Sequence, residues 1–127
     1  MSINTYEENR ILSASPLELV RILYTAAMRA VQNARESLRA ADILSRSRQI
    51  GKAQAILLEL AASVDSRNGG EVGERLLALY DYMQGRLAEA NAEQNDEPLV
   101  EVTRLLGTLQ EAWLRCETVE EPALALR

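Results

Sequence analysis

Between Gly69 and Asn91 the apolar residues Val72, Leu76, Leu79, Tyr80, Met83, Leu87 and Ala90 recur at spacings of three and four. A backbone turning once per 3.6 residues places them on one stripe, so this stretch is a long helix with a core-facing side, predicted over 70–94. Leu77 and Tyr82 lie off the stripe, and the helix therefore touches neighbours over more than one narrow seam. Upstream, Ser15-Pro16-Leu17-Glu18 is a helix start: Ser15 caps free amides, Pro16 needs no donor at the first position, and Glu18 stands three residues beyond the cap. The helix it opens is predicted over 16–41. Its apolar positions are broad near the start and narrow to an alanine-rich stripe at Ala27, Ala30 and Ala34, which lets a neighbouring helix approach closely.

The rhythm weakens between Asp42 and Arg48, where Ser45 and Ser47 are the candidate caps. A second helix is expected over 48–64, with Ile50, Ala53, Ile56, Leu57, Leu60, Ala61 and Val64 as its stripe and Gly51 in its first turn. Asp65 to Gly70 is the strongest breaker, because Asn68-Gly69 and Gly69-Gly70 tolerate positive φ. Asp96 is a candidate cap for a last helix over 98–117, whose stripe is Leu99, Val102, Leu106, Leu109, Trp113 and Cys116. Residues 1–14 show no sustained period and read as an extended arm, and residues 118–127 form a tail interrupted by Pro122. Four amphipathic segments with short links predict an all-α fold, an antiparallel up-down four-helix bundle with an N-terminal extended arm, in a single domain.

Composition narrows the chemistry. The chain has no histidine and one cysteine, which removes the commonest proton carrier, Glu-x-x-His metal pairs and Cys/His zinc sites. Its carboxylates, such as Glu71 and Glu74, read as solvated, and the glycine pair has no phosphate-loop spacing, so neither an enzyme nor a cofactor is expected. The net charge of -5 and the dispersed arginines oppose a nucleic-acid partner. No apolar run is long enough for membrane insertion, and the N-terminus lacks a secretion signal, which implies the cytosol. Tyr24, Tyr80 and Tyr82 have two readings: rings that line the core, or rings at the edge of a groove that receives an amphipathic partner. Leu57, Leu76 and Met83 are candidates for the same groove, with core packing as the alternative for each.

Three further motifs resemble the flagellar secretion chaperone FliS family. Tyr6-Glu7-Glu8-Asn9-Arg10-Ile11, leading to Ser13-Ala14-Ser15-Pro16 and Leu17, is similar to its opening signature. Leu60, Asp65, Gly69-Gly70, Leu76, Leu79-Tyr80-Asp81-Tyr82-Met83, Leu87 and Ala90-Asn91 resemble its central one, and Leu105-Leu106, Leu109 and Glu111-Ala112-Trp113 its last. The resemblance implies a cytosolic export chaperone that binds the C-terminal segment of flagellin, prevents its premature polymerisation and helps deliver it to the flagellar type III export apparatus. It implies an export gate component as a second partner, and leaves room for other flagellar regulators. It also implies that the arm, through Tyr6 and Ile11, covers a groove that the client then occupies. The competing expectation is a self-associating structural or regulatory bundle without a flagellin client.

Overall fold

The computed structural model describes residues 15–64 and 69–116. The arm with Tyr6 and Ile11, the turn 65–68 and the tail 118–127 lie outside the described residues. Among the described residues four helices follow one another: α1 (Pro16–Arg39), α2 (Ile43–Ala62), α3 (Gly70–Glu93) and α4 (Glu97–Arg115). At the start of α1 the Ser15 Oγ accepts from the Glu18 amide at 3.2 Å, with Pro16 at the first helical position.

α2 begins five residues before Arg48, in a place the hydrophobic rhythm hides. Its cap is Asp42, whose Oδ1 accepts from the Ser45 amide at 3.1 Å, so neither Ser45 nor Ser47 is the cap. Ile43 and Leu44 in the first turn are exposed and break the inward pattern. Gly51 is consequently well inside the helix. The turn before α2 is tight enough to hold Ala41 at φ 58°. Gly70 opens α3 with the same sign of φ, which a glycine adopts without a Cβ clash. At α4 it is Asn95 whose Oδ1 accepts from the Glu97 amide at 3.1 Å; Asp96 makes no side-chain cap bond because Arg35 holds both of its carboxylate oxygens, at 2.9 and 3.0 Å.

The helices form a ring in which α1 packs against α2 and α4, and α3 closes the other side against the same two. Neighbours are antiparallel. The end of α1 meets the start of α2 at Ser37–Ser45, the start of α2 meets the end of α3 at Arg46–Asn91, and Arg35–Asp96 with Arg21–Trp113 mark the two ends of α1 against α4. The interior is filled by Tyr24, Val31, Ile50, Leu57, Leu60, Met83, Leu87, Leu99, Val102 and Leu106. Ala27, Ala30 and Ala34 on α1 are wholly buried, and with Ala53 they allow α1 and α2 the most extensive contact in the bundle.

Candidate functional site

At the centre of the bundle the hydroxyls of Tyr24 and Tyr80 approach to 2.6 Å across the diagonal between α1 and α3. Burial raises both phenol pKa values, since neither can ionise without water. The Tyr24 ring also leans on Trp113 of α4, with centroids 6.5 Å apart and planes 42° tilted. Leu57, Leu76 and Met83 are interior residues as well. Five of the six side chains read as groove candidates, Tyr24, Leu57, Leu76, Tyr80 and Met83, are therefore in the core, from 0 to 6% exposed, while the sixth, Tyr82, is 47% exposed.

An apolar surface does exist nearby, along the seam between α3 and α4. Tyr82 and Arg86 on the α4-facing flank of α3 both reach Glu101 on α4. The Tyr82 hydroxyl donates to its Oε1 at 2.8 Å and the Arg86 Nε at 2.6 Å, while Arg86 Nη1 also holds Glu89 at 2.5 Å. The Tyr82 hydroxyl first, and Arg86 second, hold the Glu101 carboxyl below the usual carboxylate range. That polar group closes one half of the seam. The other half runs towards the start of α3 and the end of α4, and its inward positions are incompletely covered. Leu79, Leu105 and Leu109 are only half-buried, and Val72, part of the expected core stripe, is 38% exposed. Val72 is left out because it stands in the first turn of α3, at the rim of the bundle.

The same end is tied down by Arg21. Its Nη2 donates to the backbone oxygens of Cys116 at 2.8 Å, Trp113 at 3.1 Å and Leu114 at 3.5 Å, the last turn of α4, while its Nε is buried without an acceptor. At the opposite end Arg46, 5% exposed, donates to Asn91 Oδ1 at 3.0 Å and to the Asn91 carbonyl at 3.2 Å. α3 has no basic residue in its own last turn, and Arg46 supplies the positive charge its carbonyl end favours. Read as dispersed surface charge in the sequence, these two arginines cap helices other than their own. The signal for Arg46 was its place one turn before Ile50 on the inward stripe; Leu105, beside Leu106, gave an equally small hint of a second apolar flank.

The fold and this seam define an all-α bundle with a row of incompletely buried apolar residues beside a fixed ionic group. No helix among the described residues is long and apolar enough to cross a membrane. The chain belongs to the FliS family of flagellar proteins: residues 1–119 match the family described as flagellar protein FliS. It is 36% identical over 107 residues to the flagellar secretion chaperone FliS of Salmonella typhimurium, covering 84% of this chain and 79% of that protein. It is 33% identical over 113 residues to the flagellar secretion chaperone FliS of Campylobacter jejuni, with 89% and 88% covered, and 33% identical over 106 residues to FliSB of Pseudomonas aeruginosa, with 84% of each covered.

Proposed function

We propose that this protein is a flagellar secretion chaperone that binds the C-terminal segment of flagellin in the cytosol, keeps it from polymerising and helps deliver it to the export apparatus. Membership of the family supports the export-chaperone role, and the half-open α3–α4 seam is the observation that carries the binding reading. An apolar cleft of this kind suits an amphipathic segment whose side chains replace water on Leu79, Leu105 and Leu109. The Tyr82, Arg86 and Glu101 group beside it offers polar contacts that fix register. The five core candidates act here as the scaffold that holds the seam open, with Tyr24 and Tyr80 setting the spacing of α1 and α3.

The arm fits the same reading. It joins α1 at Ser15, at the end of the bundle where Arg21 meets the last turn of α4 and where the seam is apolar. Residues 1–14, with Tyr6 and Ile11, cover the cleft until the client replaces them. Empty apolar surface attracts other chains, and an intramolecular cover lowers that hazard. A client segment of roughly 40 residues that buries about 1,500 Å² of apolar surface gains on the order of 35 kcal/mol before ordering and rigid-body losses. Calorimetry with a C-terminal flagellin fragment tests the proposal: saturable one-to-one binding with a negative heat-capacity change supports it. Absence of binding to the folded chain removes it and leaves the reading of a bundle without a flagellin client.

A further inference from the structure

The outward faces of the helices differ in chemistry. On α1 the exposed residues after Pro16 are Glu18, Thr25, Arg29, Gln32, Glu36 and Arg39, all polar. On α2 the corresponding face carries Leu44, Arg48, Gly51, Ala55, Leu58 and Ala62, all exposed, at alternating spacings of four and three. That is the spacing of a coiled-coil seam, on the side of the helix opposite the core positions Ile50, Ala53, Leu57 and Leu60. Leu44 is 76% exposed and Leu58 is 65% exposed, and a Cβ added at Gly51 would meet nothing within 4 Å. α2 therefore has a core face and a second seam with a smooth centre, unpartnered among the described residues.

The stripe is symmetric about its glycine. Leu44 and Leu58 stand seven residues to either side of Gly51. A two-fold axis across Gly51 lays a second α2 antiparallel on the first, brings glycine to glycine at closest approach and sets each Leu44 against the other copy's Leu58. Arg48 and Glu59, the charged members of the exposed set, lie on one edge of the stripe. The same axis puts Arg48 of one copy beside Glu59 of the other, about 8 Å apart along the helix and within reach of two long side chains. We infer that this face of α2 is a self-association surface, through which two copies of the chain pair antiparallel about Gly51. One helix pair buries on the order of 800 Å², less than the ~1,200 Å² at which stable interfaces begin, so the dimer is weak and reversible, with a dissociation constant of about 10 µM to 1 mM.

Sedimentation equilibrium of the full chain from about 10 µM to 1 mM tests the pairing. The weight-average mass is expected to rise from 14.1 kDa towards twice that value. Gly51→Glu places like charges on the axis and Leu58→Glu removes a leucine contact; each is expected to weaken association at least about tenfold. Neither change threatens the fold, since both positions are exposed and glutamate is a good helix former, better than the glycine it replaces at position 51. The register has its own readout in a Cys116→Ser background. Gly51→Cys is expected to cross-link to itself on oxidation, whereas Leu44→Cys, with its copies about 21 Å apart, is expected to cross-link only when mixed with Leu58→Cys. A chain that stays monomeric to 1 mM, or an association unchanged by both glutamates, overturns the proposal. Loss of flagellin-fragment binding in Leu58→Glu, with the parent chain monomeric throughout, overturns it in favour of a partner's helix on this face.

Discussion

The hydroxyl of Tyr24 lies 2.6 Å from that of Tyr80, and the two are the polar centre of an otherwise apolar core. Each satisfies the other, so removing one is worse than removing both. Tyr80→Phe leaves the buried Tyr24 hydroxyl with only Trp113 as a polar neighbour and is expected to lower the unfolding free energy by about 1–3 kcal/mol. The double change with Tyr24→Phe is expected to recover part of that loss, because the two hydroxyls then leave together. Urea titration of the four forms measures the coupling.

The same pair sets an alkaline limit. Burial raises both folded-state pKa values above the ordinary 10.0. Above about pH 10 the unfolded chain has released these protons and the folded one retains them, so stability falls as pH rises. Below that pH the contribution is complete. Phenolate absorbance at high pH is expected to follow loss of helix for these two residues; a fast component that precedes unfolding and survives the combined Tyr6→Phe and Tyr82→Phe changes would contradict this.

Glu101 governs the acid side. Its folded-state pKa is lowered from 4.5 by the Tyr82 hydroxyl and Arg86, so its stabilising effect is present above that value and is lost as pH falls through the depressed one. In Glu101→Gln the difference in melting temperature between neutral and acidic solution is expected to shrink. An unchanged difference would mean that the seam's ionic group contributes nothing to acid sensitivity.

Arg21→Met removes the donor that joins the last turn of α4 to α1. Because the Nε of Arg21 is buried without an acceptor, the expected loss is only about 1.5 kcal/mol, the low end for a charged hydrogen bond. Hydrogen exchange is expected to quicken in Trp113–Cys116 and to stay unchanged at the end of α3, which Arg46 holds.

Within the cleft, Val72→Glu and Leu105→Glu are expected to weaken flagellin-fragment binding by about tenfold or more, since each sets a charge where apolar contact is proposed. Val72 is partly exposed in the first turn of α3, where a carboxylate also suits the helix dipole, so its variant keeps the fold. Helical circular dichroism serves as the control for Leu105, which packs against the core.

Helix count, order and the antiparallel bundle were legible in the sequence because inward apolar residues recur at helical spacing on all four segments. The start of α2 was not, since Ile43 and Leu44 face outward and erase the rhythm for one turn. Periodicity also cannot separate the middle of a core from its margin. Tyr80 and Leu79 are neighbours in sequence and both apolar, yet Tyr80 is buried and Leu79 half-open, a difference set by where α4 lies. The exposed stripe on α2 was hidden for a related reason: its small residues carry too little apolar character to register beside the stronger core face.

The acceptors of Arg21 lie 92 to 95 residues further along the chain. During synthesis that guanidinium leaves the ribosome long before Trp113 and Cys116 exist, and α1 must wait for the last helix before its first turns can be clasped. The bundle therefore closes only once Trp113 to Cys116 have been made, and a chain terminated before them lacks the clasp altogether.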